Sequence, residues 1–163
     1  MSYKPLKVAL MEVCGVGHSL EAMRLPFNKR GKTPTMKLAG KLISAGDDHG
    51  KFIRGCIAYI KVEMQVGFMI DLETYRAGIE CLSTSSTMHN ELKGMSGVKL
   101  AELKQELMVD KVYTRIMTVS YQALRNIYKA RRKHRHPDFT IFCDFIEEMP
   151  YFSELIMPEL GNE

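Results

Sequence analysis

The stretch CIAYIKVEM, residues 56–64, combines partial alternation of apolar and polar residues with a high content of β-forming residues. This pattern predicts a β-strand, because successive side chains of a strand point to opposite faces of a sheet. The next residues change to helical spacing, with apolar side chains at Val66, Met69 and Leu72 and a segment that continues to Arg76. A strand followed directly by a helix indicates a domain that mixes both kinds of structure.

Shorter elements are predicted before this strand. They are a strand over 6–14, a helical turn over 18–24, a basic loop over 27–32 and a short helix over 48–54. Thr33 is expected to cap a further helix with Pro34 at its first position, where the missing N–H costs nothing, and Gly46 is expected to end it. Asp47 is then expected to cap the helix over 48–54.

Helices are predicted to dominate the second half of the chain. Ser96 is expected to cap a short leucine-rich helix. Asp110 is expected to cap the longest element, over 111–134, because apolar residues recur there in steps of three and four. Pro137 stops that element, and a last helix is predicted over 138–149 with an aromatic face.

Two segments lack such a pattern. Residues 81–90, CLSTSSTMHN, are small and polar, which is typical of a loop or an irregular helix start. The tail over 150–163 is acidic and is expected to be partly frayed. The chain is therefore predicted to be one α+β domain over residues 1–163, with a small antiparallel sheet packed with several helices, including one long helix.

Composition excludes some classes of protein. Apolar residues make up 45% of the chain and charged residues 26%, which supports a buried core and a soluble surface. No stretch approaches the roughly 20 apolar residues that span a bilayer, and the first residues show no signal-peptide pattern, so we expect no membrane partner and a cytoplasmic location. The net charge of +4 permits a polyanionic partner without requiring one.

The four cysteines, Cys14, Cys56, Cys81 and Cys143, are far apart in the sequence. No two of them form the Cys-x-x-Cys pair that zinc ribbons and redox motifs use. Each lies among apolar neighbours, so we expect four buried thiols in a reducing compartment and no metal site.

Residues 47–51, DDHGK, place two carboxylates beside the imidazole of His49. Such a group could bind a metal or transfer a proton. The alternative, which the residue types favour, is a helix start at which aspartates accept backbone N–H bonds.

A candidate phosphate site is formed by Tyr75 and Arg76 together with the hydroxyl-rich text that follows them. The candidate ligand-binding residues of that text are Ser83, Ser85, Ser86 and His89. Arginine presents a fixed fork of donors to a phosphate, and hydroxyls add short neutral bonds. A flexible polar loop is an equally good interpretation of the same residues.

The segment 129–136, KARRKHRH, is the most basic in the chain. Its candidate nucleic-acid-binding residues are Lys129, Arg131, Arg132, Lys133 and Arg135. They could bind phosphates in a salt-dependent manner. Cations at the end of a helix also stabilise its negative pole, and this structural interpretation is favoured here.

Three blocks in this order resemble the flavin-dependent thymidylate synthases, whose motif reads R-H-R-x-x-S-x-N-E-x-S-x-R-Y after a strand and a helix. With Arg76 on the first arginine of the motif, Ser86 falls on its second serine. Residues 121–131, YQALRNIYKAR, resemble a later helix of the family and place Arg131 on its final arginine. The segment around His49 resembles the family's histidine-bearing stretch, so the likeness covers roughly residues 47–146.

A second likeness, over most of the chain, is to a group of phage and prophage proteins. It rests on residues 25–29, 46–49, 71–76, 85–89 and 142–151. It implies a phage-encoded protein in the host cytoplasm and no particular activity.

The resemblance implies the family's fold, FAD as a cofactor, a nucleotide ligand and a homo-tetramer with sites between subunits. Important motif positions are changed, however. The family's histidine and second arginine fall on Ala77 and Gly78, its asparagine and glutamate fall on Ser83 and Thr84, and its last arginine and tyrosine fall on Met88 and His89. Each lost arginine removes charge-assisted bonds of about 1.5–3 kcal/mol.

We therefore expect a thymidylate-synthase-like protein that binds a nucleotide or phosphate through Arg76, Ser86 and Arg131. Its catalysis is expected to be lost or altered, and any remaining activity would be a flavin-dependent methyl transfer. The alternatives are a basic nucleic-acid-binding accessory protein, and a non-catalytic oligomer that serves as a phage component or inhibits a host factor.

Overall fold

A computed structural model describes residues 2–27, 35–89 and 91–160. One antiparallel sheet of four strands lies at its centre, in the order β1-β2-β4-β3. The strands are β1 (Lys7–Cys14), β2 (Ile57–Gln65), β3 (Ile79–Thr84) and β4 (Val112–Ser120). The predicted α+β class with a small antiparallel sheet is confirmed.

Seven α-helices accompany the sheet in the described residues. They are α1 (Val16–Ala22), α2 (Met36–Ser44), α3 (Asp47–Gly50), α4 (Val66–Glu73), α5 (Gly97–Asp110), α6 (Tyr121–Arg131) and α7 (Pro137–Glu147). Short 3-10 turns cover Leu25–Phe27 and Lys51–Gly55, and one π-helical turn covers Phe152–Ile156. None of the described helices is long and apolar enough to cross a bilayer.

The core lies on one face of the sheet, under α6 and α7. In the pairing of β2 with β4, Ala58 lies opposite Val119 and Ile60 opposite Met117, and all four side chains are buried. Because alternate residues of a strand share a face, these pairs define the inner face of the sheet. Helix α6 packs on it through buried apolar residues such as Leu124.

The prediction of one long helix over 111–134 is wrong for its first half. Val112 to Ser120 form β4, which pairs with β2 on one side and β3 on the other. Its β-branched and aromatic residues alternate between faces, with Tyr113 and Met117 buried. The three- and four-residue spacing continues into α6, so periodicity alone did not show where strand changes to helix. Ser120 marks that change, because its hydroxyl accepts a hydrogen bond from Ala123 N at 3.2 Å.

The prediction of a loop over 81–90 is wrong for its first residues, which belong to β3. This strand lies at the edge of the sheet, and most of its side chains are exposed. This edge strand has no apolar face of its own, and backbone hydrogen bonds to β4 keep it in the sheet. The polar composition therefore concealed it.

Two predicted helix caps also differ. Thr33 and Pro34 lie outside the described residues, and α2 begins at Met36 with the Thr35 hydroxyl accepting from Leu38 N at 3.3 Å. Asp47 lies inside the first turn of α3, after Gly46, whose φ of 127° only glycine adopts readily. The carboxylate of Asp47 accepts a hydrogen bond from Gln122 Nε2 at 3.4 Å and caps no backbone N–H.

The acidic tail packs more closely than the sequence predicts. Leu155 and Ile156 are fully buried, and Arg125 donates to the Ile156 carbonyl at 2.7 Å. The buried Arg125 guanidinium also pairs with the Glu159 carboxylate. The expected fraying therefore does not extend over 152–159, and residues 161–163 lie outside the described range.

Candidate functional site

An open cavity of about 340 Å³ lies where the end of α4, the start of β3 and the middle of β4 meet. Its polar lining consists of Glu73, Tyr75, Arg76, Glu80, Cys81 and Arg115. Two arginines line it together with two glutamates, and an arginine that is not paired with a carboxylate offers a binding site to an anion. Two further described cavities, of about 360 and 280 Å³, have no arginine in their walls.

Arg76 lies in the connection between α4 and β3 and is exposed to solvent. Its guanidinium has no hydrogen-bond or ion-pair partner among the described residues. All of its donors are therefore available to a ligand in the cavity.

Gly78 explains one departure from the resembled motif. Its φ is +82°, and a Cβ added there would lie 2.3 Å from Ser120 Oγ. A side chain at this position would meet both backbone strain and a steric clash. The second arginine of the motif therefore cannot be placed at residue 78 with this backbone.

Arg115 is the functional candidate that the sequence did not reveal. It lies on the inner face of β4 between buried Tyr113 and Met117, and its side chain is only 11% exposed. Nη1 donates to Glu73 Oε1 at 2.6 Å, whereas Nε is buried and has no partner among the described residues. The prediction of a helix over 111–134 concealed Arg115. With VYTRIMTVS recognised as a strand, the single cation among its side chains would have indicated this residue.

Arg131 contacts Tyr75. Its Nε donates to Tyr75 Oη at 2.6 Å, and its guanidinium carbon lies 4.8 Å from the centroid of the Phe139 ring. Tyr75 is half-buried and forms part of the cavity wall next to Arg76. The structure thus connects Arg131 to the cavity through Tyr75, whose ring it orients.

The serine-rich segment lies at the other end of β3. Arg76 precedes that strand and Ser86 follows it, and the six residues of β3 span about 20 Å. The structure therefore does not bring Ser86 together with Arg76 within one chain. Ser85 Oγ accepts from Thr114 N and Ser86 Oγ accepts from Met88 N, both at 3.0 Å, so these hydroxyls stabilise the turn.

The remaining candidate residues of the segments 47–51 and 81–90 are exposed. Ser83 and His89 are on the surface of the serine-rich segment, and His49 is on the surface of α3. None of these three lines the cavity. In the described ranges, no three His, Cys, Asp or Glu side chains are close enough together to hold a metal ion.

The basic segment is largely occupied by contacts within the chain. Lys129 pairs with Glu159 at 3.5 Å, and Arg132 pairs with Asp144 at 2.6 Å and with Glu147 at 3.0 Å. The imidazole of His136 accepts the first N–H of α7, from Asp138. Lys133 and Arg135 are exposed and have no partner in the part of the chain that is described.

The cysteines differ from the expected four buried thiols. Cys56 and Cys143 are buried, and burial raises the pKa of the Cys143 thiol to about 11. Cys14 is half-buried, and Cys81 is exposed because it lies on the edge strand β3. Because the Cys81 thiol is exposed and lines the cavity, its rate of chemical labelling can be used to detect a ligand there.

Comparison of this structure with solved structures finds thymidylate synthases. One match is thymidylate synthase X from Helicobacter pylori with FAD and dUMP, with a TM-score of 0.68, 10% identity, and coverage of 97% of this chain and 100% of that one. Another is flavin-dependent thymidylate synthase from Helicobacter pylori complexed with FAD and dUMP, with a TM-score of 0.69, 10% identity, and coverage of 94% and 98%. The chain therefore has the fold of these enzymes over nearly its whole length.

The sequence itself gives no comparable match. No family model and no curated protein matches it. The relationship to the thymidylate synthases is thus one of fold.

Proposed function

We propose that this protein binds a nucleotide, or another ligand that carries a phosphate, in the cavity beside Arg76. The observation that supports this most directly is the unpaired Arg76 guanidinium in the wall of a cavity of about 340 Å³ that Arg115 also lines. This volume lies at the lower end of the range for small-molecule sites, so the cavity suits a phosphate with its sugar better than a whole dinucleotide. Two structures with the same fold contain FAD and dUMP.

In this proposal the arginines bind the phosphate, and Tyr75 forms the wall against which the rest of the ligand packs. Arg131 holds Tyr75 through the 2.6 Å bond from Nε to Oη and acts on the ligand through that ring. The turn over 85–89 follows Thr84, which pairs with Arg115, but no residue of the turn lines the cavity of its own chain. In an assembly with sites between subunits, that turn of one subunit can complete the cavity of another.

The same proposal holds that the chemistry of the thymidylate synthases is lost or altered here. The backbone at Gly78 excludes a side chain, so one charged contact of the motif is missing. A charge-assisted bond contributes about 1.5–3 kcal/mol, so its absence weakens FAD or nucleotide binding by tenfold or more. Any activity that remains would be a flavin-dependent methyl transfer.

The test is to identify what the purified protein carries and binds. Native mass spectrometry and an absorbance spectrum would reveal a bound flavin or nucleotide, and titration calorimetry would measure the affinity for dUMP. Arg76→Ala should weaken binding by at least tenfold, because it removes a charged partner of the phosphate. Arg135→Ala is the matched control, since it removes an exposed arginine from the basic segment away from the cavity.

The proposal would fail if the protein carried no ligand and bound neither dUMP nor FAD at millimolar concentration. Equal losses in Arg76→Ala and Arg135→Ala would instead indicate attraction by the general positive charge of the protein.

Self-association is a further part of the proposal. Helix α5 has no buried residue and exposes Val98 and Val109, which lie on the same side of the helix and form an apolar stripe that a second copy could cover. Light scattering after gel filtration should give a mass above the 18.6 kDa of the chain. A monomer would contradict the idea that subunits share sites. A phage origin and a cytoplasmic location remain predictions from the resemblance.

A further inference from the structure

The ion pair between Glu73 and Arg115 stands at the wall of the proposed ligand cavity. We propose that Glu73 is a built-in competitor, a carboxylate that occupies Arg115 in the empty protein and is displaced by the phosphate of an incoming ligand. The proposal rests on the proposed function for the identity of the ligand, and it adds a device that selects among anions.

The accessible donors of Arg115 are limited. Its Nε is fully buried, so a ligand in the cavity can reach this residue only at the terminal nitrogens of the guanidinium. Nη1, one of those nitrogens, already donates to Glu73 Oε1 at 2.6 Å. A ligand phosphate that accepts from both terminal nitrogens must therefore displace the carboxylate from Nη1.

Glu73 is held in a way that permits displacement. Its side chain is 53% exposed, and its one ion pair in the described part of the chain is the pair with Arg115. It is the last residue of α4, where the negative pole of the helix repels a carboxylate. Moving it into water therefore loses one contact and also relieves a repulsion.

A phosphate gains more at this site than Glu73 does. Arg76 lines the same cavity with its guanidinium unpaired, so an entering phosphate can accept from two arginines, whereas the carboxylate uses one. A phosphate has more acceptor oxygens and more charge than a carboxylate, so it can satisfy both groups. The Glu73 carboxylate therefore raises the concentration at which a weakly binding anion occupies the site, whereas a phosphate can still displace it.

The test compares two glutamates of one cavity. Glu73→Gln removes the competitor, and titration with inorganic phosphate should show binding about 3- to 10-fold tighter than in the parent protein. Glu80→Gln is the matched control, because it removes the same charge from the same cavity without an ion pair to Arg115. Its effect measures the general electrostatic field alone, for which we expect less than a twofold change. The affinity for acetate should rise in Glu73→Gln by at least as large a factor as the affinity for phosphate, because the competing carboxylate is gone.

Two measurements connect the effect to Arg115 even if substitutions there fail to fold. The side-chain Nε–Hε resonance of Arg115 should shift when phosphate is added to the parent protein. Phosphate should also slow the labelling of Cys81 by N-ethylmaleimide, since that exposed thiol lines the same cavity. Arg115→Met, which keeps an apolar side chain on the inner face of β4, should abolish the protection of Cys81 by phosphate.

The results separate this inference from the proposed function. Tighter phosphate binding in Glu73→Gln, with no nucleotide bound by either protein, would support the competitor and contradict the nucleotide proposal. Nucleotide binding with equal effects of Glu73→Gln and Glu80→Gln would overturn the competitor and leave the nucleotide proposal intact. No phosphate binding and no Arg115 shift at about 50 mM phosphate, roughly fifty times a Kd of about 1 mM, would overturn the inference.

Discussion

Replacing Gly78 with alanine tests the backbone geometry that separates this cavity from the resembled motif. Gly78 has a φ of +82°, and its carbonyl accepts a hydrogen bond from Ser120 N at 2.8 Å. A Cβ at this position would lie 2.3 Å from Ser120 Oγ and 3.3 Å from Ser120 Cβ. That hydroxyl is also the N-cap of α6, through its bond with Ala123 N. The substitution therefore strains β3 and the start of α6 together.

The expected cost of Gly78→Ala can be estimated from its parts. A left-handed conformation costs a non-glycine residue about 1–2 kcal/mol. Ser120 must rotate away from the new methyl group, and loss of an N-cap costs about 1 kcal/mol. The lower entropy of the unfolded alanine chain returns about 0.4–1 kcal/mol. The net destabilisation should be about 2 kcal/mol.

Urea unfolding followed by circular dichroism would measure this value, and a double-mutant cycle would locate its origin. Ser120→Ala alone should cost about 1 kcal/mol through the lost cap. The double variant should be more stable than the sum of the single effects predicts, by about 1 kcal/mol, because the clashing hydroxyl is gone. Gly67→Ala in α4 is the control, since its Cβ meets nothing within 4 Å, and it should be neutral or slightly stabilising.

Two results would refute this reasoning. The first is a Gly78→Ala protein whose free energy of unfolding lies within about 0.5 kcal/mol of the parent, which is the range of ordinary surface substitutions. The second is strict additivity in the cycle, which would show that residues 78 and 120 do not meet.

Three other measurements address the tail, the core and the thiols. Arg125 lowers the pKa of Glu159 to about 2, so the pair stabilises the protein above the normal pKa of about 4.5 and this contribution is lost as the pH falls towards 2. Glu159→Gln should lower the free energy of unfolding by about 1 kcal/mol at pH 7, a value reduced because the carboxylate is partly exposed. If urea unfolding showed the same loss at pH 2.5, this expectation would be wrong. Tyr121→Phe should cost about 1–2 kcal/mol in the same assay, because the buried hydroxyl donates to a backbone carbonyl at 2.9 Å, and no loss would show that water replaces the bond. In native protein at pH 7.5, iodoacetamide should label Cys81 first and Cys143 only after unfolding, as read by peptide mass mapping, and equal rates would contradict the burial of the second thiol.

The sequence predicts well those elements whose pattern is local. The first strand, the strand after residue 56 and the helix that follows it are found close to their predicted bounds as β1, β2 and α4. The last helix likewise agrees with α7, since Pro137 and an aromatic stripe are signals within one segment. The α+β class follows from these elements.

The elements that depend on pairing between distant segments could not be predicted in the same way. β3 is an exposed edge strand whose structure comes from backbone bonds to β4, and β4 has a spacing of apolar residues that also fits a helix. Missing these two strands also concealed Arg115, because its position on the inner face follows only from the pairing of Val62 with Arg115.

The sequence by itself determined the class of the domain, the elements β1, β2, α4 and α7, and the presence of an arginine at residue 76 next to a tyrosine. Only the tertiary structure decided which cations meet. It placed Arg115 in the wall of the cavity that Arg76 also lines, joined Arg131 to Tyr75, and put Ser86 beyond the far end of β3. The physical reason is that helical and strand periodicity is written in neighbouring residues, whereas the composition of a cavity depends on which strands pair and in which register.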